Sequence, residues 1–405
     1  MAPSVSVISK GPVGVSTQVR GISQPRPGSR RAAGAVPRGP GRSAPAAGGC
    51  CWATSWGKAR GQRRGAQVSC RKRRGPGTGW RRRLSANREK RMQTGFIGLG
   101  AVGAKLAGNL LRNDVGLTVF DLDETRLAGM VAEGAEAAGS AAEVMARCDV
   151  VITSLPSPAA SEAVLAEMLP EMGPGKTWVE MSTTDPEVIV AQAARVAETG
   201  AVAIEAPVSG GCHRAATGNI SVFCGAPRDS FEAVLPLLTI LGRQVLHTGE
   251  VGTASKLKVM TNYLATANLL SLCEALTTMQ AAGLDMATTF EAIRISSGTS
   301  FVHETESQLI LSGSRDVDFT LDLVMKDVGL FQALAEAYGV PLELSPQVIA
   351  MIRDGQQQMG ERAQSDRMIE RLEVAAGISV RAPGFPETLV DEEPPARGAE
   401  VVVRR

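Results

Sequence analysis

Two periodicities of hydrophobic residues divide the chain. Between about residues 94 and 249, short apolar runs alternate with stretches in which apolar residues recur every three or four positions. Strands that alternate with helices predict a doubly wound, mostly parallel sheet, in which ligands bind beyond the carboxyl ends of the strands. The predicted strands are a first one ending at Ile97, followed by 117–120, 149–155, 178–181, 201–205, 219–224 and 244–247.

After Gly252 only the helical period continues. Residues 255–282 contain neither Gly nor Pro, which predicts one helix of about 28 residues, on the order of 40 Å long. Further helices are predicted at 287–296, 320–338 and 345–359. The sequence therefore predicts an α/β domain at 92–251 and an all-helical domain at 252–376, joined by a long interdomain helix. A loose tail, rich in Pro, Glu and Arg, is expected at 377–405.

Charge is unevenly distributed along the chain. The formal net charge is +2, yet residues 1–91 hold 21 of the 43 Lys and Arg residues and a single acid, Glu89. This leader has almost no aliphatic periodicity and no apolar run long enough for a signal peptide or a membrane span. Its Arg- and Ser-rich, acid-poor composition resembles a transit peptide, which would direct the protein to a mitochondrion or plastid.

Two other interpretations of the leader stay open. It could be a disordered basic tail, or translated upstream sequence, because Met92 stands immediately before the first strand; the protein would then be cytoplasmic. The basic clusters at 71–74 and 81–83 could contact nucleic acid non-specifically, but no folded nucleic-acid-binding motif accompanies them. We therefore expect neither a specific nucleic-acid partner nor a membrane.

Cysteine and histidine spacing argues against a metal site. The seven cysteines fit neither a zinc motif nor a disulfide framework. Those in the folded part are expected to be small buried residues in a reducing compartment. The three histidines, at 213, 247 and 303, are too scattered to form an obvious site, so no metal is expected.

A glycine-rich turn joins the first predicted strand to its helix. Gly98, Gly100 and Gly103 form the pattern G-x-G-x-x-G within TGFIGLGAVG at 94–103. The first glycine allows a tight bend, the second lets the backbone approach a pyrophosphate, and the third lets the helix pack on the strand. The helix N-terminus then offers free N–H groups to phosphates. The strand–turn–helix context favours a dinucleotide site over a purely structural turn.

Asp121 ends the second predicted strand, 23 residues after Gly98. A carboxylate here can accept hydrogen bonds from the ribose hydroxyls of the adenosine, and it repels the 2′-phosphate of NADP. No arginine stands directly beside Asp121, although Arg126 is five residues further on. We therefore expect NAD as the cofactor, with NADP as the alternative.

Lys258 and Asn262 lie four residues apart near the start of the long helix, so they share one of its faces. That face is expected near the place where the two domains meet, whereas Lys256 projects differently. Taken alone, a lysine on a helix is usually solvated. By the same argument Lys326 and Asp327 would be an ordinary surface pair.

The turn Ser209-Gly210-Gly211 could be structural, or it could present backbone N–H groups to an anion. It also lies in one of four motifs that resemble those of β-hydroxyacid dehydrogenases, the family that contains 3-hydroxyisobutyrate dehydrogenase. The resemblance covers about residues 94–376 and implies a Rossmann-type NAD(P)-binding domain followed by a helical dehydrogenase domain. The motifs are GFIGLGAVG at 95–103, APVSGGCHRAATGNISVFCG at 206–225, GTASKLKVMTN at 252–262 and LVMKDVGL at 323–330.

The resemblance assigns roles to individual residues. It implies a catalytic set in which Lys258 is the acid/base, Asn262 helps to hold the substrate, and Lys326 lies in the closed active site. The substrate carboxylate would bind at Ser209, Gly210 and Gly211. The implied cofactor-binding residues are Gly98, Leu99, Gly100, Ala101, Val102, Gly103, Asp121, Leu155, Pro156, Thr183 and Lys326.

The chain departs from the family pattern at four places. Ala254 replaces the second glycine of the third motif, Thr261 replaces an asparagine, and Ala160 stands where some members have a cofactor-contacting asparagine. These three changes leave the reaction type intact. Cys212-His213-Arg214 replaces a smaller segment after Ser-Gly-Gly, which leaves the identity of the substrate open.

The expected activity is the NAD-dependent oxidation of a 3-hydroxy acid, similar to 3-hydroxyisobutyrate, to its semialdehyde. Lys258 would take the alcohol proton, which requires a pKa below the usual value of about 10.4; the charge of Lys326 could lower it. Two alternatives stay open: an NADPH-dependent glyoxylate or succinic semialdehyde reductase of the same family, and a catalytically inactive member that binds nucleotide and assembles. The expected partners are a small hydroxy-acid or semialdehyde substrate and further copies of the chain, in a homodimer or homotetramer.

Overall fold

The structure of the protein, a computed structural model, describes residues 92–404. The predictions for residues 1–91, including the transit peptide, lie outside the described residues. Among the helices of residues 92–404, none is long and apolar enough to cross a membrane.

A sheet of ten strands organises the first part of the described chain. The strands are β1 (Thr94–Ile97), β2 (Leu117–Phe120), β3 (Glu136–Ala137), β4 (Val150–Thr153), β5 (Thr177–Glu180), β6 (Val202–Glu205), β7 (Val208–Ser209), β8 (Ile220–Gly225), β9 (Gly242–Gly249) and β10 (Ala399–Glu400). Their order is β10-β9-β8-β6-β5-β4-β1-β2-β3, with β7 paired to β8. All pairs are parallel except β6–β8 and β7–β8.

Helices connect the strands and then form the second part alone. Those of the first part are α1 (Ala101–Arg112), α2 (Glu124–Ala132), α3 (Ala141–Arg147), α4 (Pro158–Met168), α5 (Pro186–Glu198), α6 (Gly211–Thr217) and α7 (Arg228–Leu241). Those of the second part are α8 (Thr253–Ala281), α9 (Met286–Arg294), α10 (Phe301–Ser312), α11 (Leu321–Ala337), α12 (Leu344–Met359) and α13 (Glu370–Ala376). Short 3₁₀ turns lie at Leu169–Glu171 and Ser365–Ile369.

The sheet is covered on both faces, because its central strands are almost continuously apolar. Phe96 of β1 packs in one buried cluster with Leu106 of α1. The next residue, Ile97, packs in a second cluster with Val151 and Trp178. Successive residues of one strand thus enter different clusters, as helices on both faces of the sheet require. The predicted doubly wound fold is confirmed.

The long helix α8 is the central element of the second part. It has 29 residues, and Leu269, Cys273 and Leu276 on one face are buried in a third cluster. Helices α10 and α11 contribute Ile310 and Val324 to that cluster. The predicted helical domain that follows the sheet is therefore also present.

Five helices, α3, α6, α7, α10 and α13, are absent from the sequence prediction. Helix α7 contains Pro236 in its interior, and α6 begins at two glycines, residues that ordinarily interrupt helical patterns. Helix α10 follows the polar segment 296–300, whose last residue, Ser300, caps it by accepting a hydrogen bond from His303 N at 3.1 Å. In these three cases a turn signal masks the helix.

Residues 377–404 differ from the loose tail that the sequence predicts. Val380 is fully buried in the third cluster, and Ala382 N donates to the carbonyl oxygen of Leu311 at 2.9 Å. Further on, Asp391 accepts a hydrogen bond from Asn219 Nδ2 at 2.8 Å, and β10 pairs with the edge of β9. The anchors are single residues within a Pro- and Glu-rich segment, so they produce no periodic pattern.

Candidate active site

The glycine-rich turn after β1 contains the close approaches that its pattern predicts. Gly98 adopts a φ of +93°, and a Cβ there would collide with the carbonyl oxygen of Ser154. A Cβ at Gly103 would collide with the carbonyl oxygen of Gly98, so no larger residue would let α1 pack as closely. Nothing lies within 4 Å of the position that a Cβ would take at Gly100. The backbone at Gly100 is therefore open on that side.

This turn fits the pyrophosphate of a dinucleotide. Helix α1 begins at Ala101 with Gly100 as its N-cap, and no side chain caps the N–H groups of its first turn. These groups and the open side of Gly100 form a cradle for phosphate oxygens. Asp121 supports the turn, because its Oδ2 accepts from Leu99 N at 2.5 Å and its Oδ1 accepts from Asp123 N at 2.8 Å.

Two further loops lie at the same edge of the sheet. Leu155 and Pro156 follow β4, and Thr183 follows β5. The loops are joined because Ser182 Oγ accepts a hydrogen bond from Leu155 N at 2.7 Å. The fully buried Glu180 in turn accepts from Ser182 N at 2.7 Å. The structure thus brings the cofactor-binding residues implied by the resemblance to one edge of the sheet.

A chain of polar contacts leads from α8 to the loop after β5. Lys258 Nζ donates to Asn262 Oδ1 at 2.7 Å, and Asn262 Nδ2 donates to Asp327 Oδ2. Asp327 Oδ1 lies 2.9 Å from Lys326 Nζ, which also donates to the carbonyl oxygen of Thr183 at 3.2 Å. Three residues predicted for the catalytic set are therefore linked to one another and to a predicted cofactor loop.

Burial changes the acidity of Lys258, whose exposed fraction is 7%. Desolvation lowers the pKa of Lys258 to about 8; the carboxylate of Asp327 opposes this effect, and the charge of Lys326 adds to it. With a pKa of about 8, roughly a tenth of Lys258 would be neutral at pH 7, against fewer than about one in a thousand for an ordinary lysine. The amine can therefore exchange a proton near neutral pH.

Asp327 belongs to this series of polar contacts, but the sequence did not predict it. The pair Lys326-Asp327 is not on the surface as expected, because α11 packs against α8 and leaves Asp327 only 2% exposed. Its carboxylate lies between a cation and an amide donor, which keeps a buried negative charge beside Lys258. The helical spacing of Lys326 and Asp327 alone carries no signal of this burial.

A second residue missed by sequence reasoning is Glu205, the last residue of β6. Its Oε1 accepts hydrogen bonds from Gly252 N at 2.6 Å and from Ala254 N at 2.7 Å. Its Oε2 accepts from Ser255 N at 3.0 Å and from Ser255 Oγ at 2.5 Å. Burial raises the pKa of Glu205, and these donors oppose that effect. The carboxylate therefore caps α8 one turn before Lys258.

The predicted substrate turn begins four residues after Glu205. Ser209 is the last residue of β7, and Gly210 and Gly211 have φ angles of +135° and +81° that favour glycine. Helix α6 starts at Gly211. Because Glu205 is bound to the first turn of α8, the strand end leading to Ser209 and the helix that carries Lys258 are tied together.

Three of the departures from the family pattern fit this geometry. Ala254 is fully buried and donates its N–H to Glu205, so a side chain is accommodated where a glycine is usual. Thr261 Oγ1 donates to the carbonyl oxygen of Lys258 at 2.9 Å, within α8. Ala160 lies in the first turn of α4, where its N–H donates to Ser157 Oγ at 3.2 Å.

Two protein-family models match successive parts of the chain. Residues 93–249 match the family model described as the NAD binding domain of 6-phosphogluconate dehydrogenase. Residues 252–372 match the model described as NAD-binding of NADP-dependent 3-hydroxyisobutyrate dehydrogenase.

Individual relatives align with this chain over most of their own length. The chain is 34% identical over 296 residues to 2-(hydroxymethyl)glutarate dehydrogenase of Eubacterium barkeri, which covers 72% of this chain and 98% of the relative. It is 34% identical over 255 residues to NAD-dependent L-serine dehydrogenase of Pseudomonas aeruginosa, and this alignment covers 60% of this chain and 86% of the relative. The crystal structure of a 3-hydroxyisobutyrate dehydrogenase from Salmonella typhimurium superposes with a TM-score of 0.65 at 25% identity, covering 69% of this chain and 99% of the other.

The fold, the two family models and these relatives define an NAD(P)-dependent oxidoreductase that acts on the CH–OH group of its donor. The chain belongs to the β-hydroxyacid dehydrogenase family and is similar to 3-hydroxyisobutyrate dehydrogenase. The predicted family, the predicted fold and the expectation of NAD(P) binding are confirmed.

Glu205→Gln is expected to loosen the start of α8. An amide offers one acceptor oxygen and turns N–H groups toward donors that the carboxylate now satisfies, which costs about 1–3 kcal/mol at a buried site. Hydrogen exchange followed by mass spectrometry should show the amides of 252–255 exchanging about tenfold faster or more.

The control for this variant is Glu250→Gln, which changes an exposed carboxylate two residues before Gly252. Unchanged exchange at 252–255 in the Glu205→Gln protein would show that the carboxylate does not hold the helix.

Proposed function

We propose that the protein oxidises the hydroxymethyl group of a 3-hydroxy acid to the semialdehyde, with NAD as hydride acceptor and Lys258 as the acid/base. The observation that carries the proposal is the contact chain from Lys258 through Asn262, Asp327 and Lys326 to the loop at Thr183. This contact chain supports a role for Lys258, whose pKa burial lowers to about 8, as a proton acceptor close to the loops proposed to bind the dinucleotide.

Each residue has a distinct part in the proposed reaction. The turn at 209–211 binds the substrate carboxylate through Ser209 and its backbone N–H groups, which fixes the hydroxyl relative to α8. Asn262 orients the hydroxyl, and neutral Lys258 Nζ accepts its proton. When the cofactor is bound, it supplies the nicotinamide ring as the hydride acceptor. The lysine then holds the proton until solvent takes it.

The named relatives suggest the class of substrate. 2-(Hydroxymethyl)glutarate, serine and 3-hydroxyisobutyrate each carry a hydroxymethyl group on the carbon next to a carboxylate. The proposed site has one anion-binding turn and one proton acceptor, which match this common unit. We propose the same unit for the substrate of this chain.

A second candidate function is the reverse reaction, reduction of glyoxylate or of succinic semialdehyde. The pKa of about 8 leaves most of Lys258 protonated at pH 7, and a protonated amine can donate to a carbonyl oxygen. The carboxylate of Asp121 beside the glycine turn weighs against NADPH as the donor. The inactive alternative has less support, because Lys258, Asn262 and Ser209 are all retained.

Three statements from the sequence analysis stay predictions: that the protein forms a homodimer or homotetramer, that residues 1–91 are a transit peptide, and that the domain boundaries lie at 251 and 376.

NAD is expected to be preferred because the carboxylate of Asp121 repels a 2′-phosphate. Asp121→Asn keeps an acceptor for Leu99 N but removes the charge, so the ratio of kcat/KM with NAD to that with NADP should fall. Asp123→Asn is the control, since it removes a nearby exposed charge. Wild-type protein that works equally well with NADP would contradict the assignment.

Lys258→Ala is expected to lower kcat for oxidation by at least about 10²- to 10⁴-fold, because general base catalysis is lost. NAD binding, measured by fluorescence titration, should stay near the wild-type value. Lys258→Arg should be equally inactive, since a guanidinium does not deprotonate. Lys256→Ala is the matched control, because Lys256 Nζ donates a hydrogen bond to Tyr338 Oη at 2.7 Å on the exposed side of α8. Retention of more than about a tenth of wild-type kcat would move the role to Lys326.

The pH dependence of oxidation should report the same lysine. Because neutral Lys258 is required, kcat/KM should rise with pH and level off above about 8. Asp327→Asn removes the charge that raises the pKa of Lys258, so the inflection should move to lower pH by about one unit.

The amide oxygen in the Asp327→Asn protein can still accept from Asn262 Nδ2. Asp354→Asn, which removes a partly exposed carboxylate paired with Arg371, should leave the inflection in place. A shift to higher pH in the Asp327→Asn protein would refute the electrostatic assignment.

A further inference from the structure

The helix after the proposed substrate turn carries an arginine that has no carboxylate partner among residues 92–404. Arg214 lies in α6, and its guanidinium carbon is 4.9 Å from the ring centroid of Phe301. Within the described residues, 92–404, no carboxylate oxygen lies within 4.0 Å of its guanidinium nitrogens, and none of these nitrogens donates a hydrogen bond to a protein acceptor. Its donors are therefore available to a ligand.

The side chain lies directly beside the proposed carboxylate-binding turn. Arg214 Cδ is 3.4 Å from the position that a Cβ would take at Gly210. His213 packs beside Gly211 in the same way, with ring atoms 3.0 to 3.1 Å from the corresponding position. Helix α6 therefore places two side chains of the unusual segment Cys212-His213-Arg214 against the turn.

Phe301, the first residue of α10, covers both side chains from the helical part of the protein. Its ring stacks on that of His213, with centroids 6.3 Å apart and planes inclined by 12°. The guanidinium of Arg214 lies over the same ring. An arginine backed by an aromatic ring is partly desolvated and held in place, which strengthens its attraction for an anion.

Of His213 and Arg214, it is Arg214 that carries the positive charge beside the turn. Burial lowers the pKa of His213, and the charge of Arg214 lowers it further, so the imidazole is mostly neutral at pH 7. Asp391 is the nearby acid whose pKa Arg214 helps to lower. Its carboxylate is already bound by Thr217 Oγ1 and by Asn219 Nδ2 at 2.8 Å, and it makes no ion pair with Arg214.

The substrates considered above differ in the third group on the carbon that bears the carboxylate. That group is a methyl in 3-hydroxyisobutyrate, an ammonium in serine, and a chain ending in a second carboxylate in 2-(hydroxymethyl)glutarate. A methyl group would leave the guanidinium unpaired, and an ammonium would be repelled. A carboxylate would form the two parallel hydrogen bonds that a guanidinium favours.

We propose that Arg214 binds a second carboxylate, and that the substrate of this protein is a hydroxymethyl dicarboxylic acid. This inference rests on the proposed function, since the first carboxylate and the hydroxyl must lie at the turn 209–211 and at Lys258. A charge-assisted pair of this kind corresponds to about a 10- to 100-fold preference for the dicarboxylate.

The test compares two acids with the purified full chain and NAD: 2-(hydroxymethyl)glutarate and 3-hydroxyisobutyrate. Wild type should prefer the dicarboxylate in kcat/KM by about tenfold or more. Arg214→Met keeps an unbranched apolar side chain beside Gly210 and Phe301 but removes the charge. The Arg214→Met substitution should lower kcat/KM for the dicarboxylate by about 10- to 100-fold, mainly by raising KM. It should change kcat/KM for the monocarboxylate by less than about threefold.

Two further variants separate charge from packing. Arg214→Lys should retain part of the preference, because a positive charge remains without the planar fork. Arg294→Met is the control; it removes an exposed arginine of α9 that pairs with Glu291, and it should leave both rates unchanged. If Arg214→Met does not fold, glutarate should still inhibit wild type at a concentration about tenfold lower than isobutyrate does.

The results distinguish the inference from the proposed function. Equal losses on both acids in the Arg214→Met protein would show that Arg214 merely joins α6 to α10. A wild-type protein that oxidises both acids equally, or that isobutyrate inhibits as well as glutarate, would also overturn the inference while leaving the proposed function intact. A wild-type protein that oxidises neither acid with NAD would contradict the proposed function itself.

Discussion

The carboxylate of Glu205 holds the first turn of α8 against the end of β6, and the proposed site depends on that contact. Four donors from Gly252, Ala254 and Ser255 converge on its two oxygens. The contact joins the sheet to the helical part at the point where the chain passes from one to the other. Because an α-helix is stiff over its first turns, fixing its start also fixes the direction of Lys258, three residues after Ser255.

From that fixed start, burial and charge act together on one amine. Lys258 is desolvated by the packing of α8 against α11, which lowers its pKa to about 8. Asp327 opposes the shift and keeps it moderate, and Lys326 reaches from Asp327 to the loop after β5. The same arrangement suits proton acceptance in oxidation and proton donation in reduction. The proposed site therefore needs no different residue for either direction of the reaction.

Local patterns predicted the parts of the molecule that local physics determines. The glycine turn at 98–103 and the period of α8 follow from backbone geometry and from apolar spacing, and both are found as predicted. Asp327 and Glu205 could not be recognised, because their roles arise from partners 65 and about 50 residues away in the sequence. The contacts of the C-terminal tail could not be predicted for a related reason: Val380 and Asp391 are isolated anchors whose partners lie in other elements.

Burial of Lys258 by the fold is what allows its amine to exchange a proton near neutral pH. The most direct measurement is an NMR titration of the protein with ¹³Cε-labelled lysine, in which Lys258→Arg identifies the resonance. This resonance is expected to titrate with a midpoint near pH 8, about two units below an ordinary lysine. A midpoint at or above pH 10 would rule out the proposed role of Lys258, since its amine could then not accept a proton from an alcohol at neutral pH.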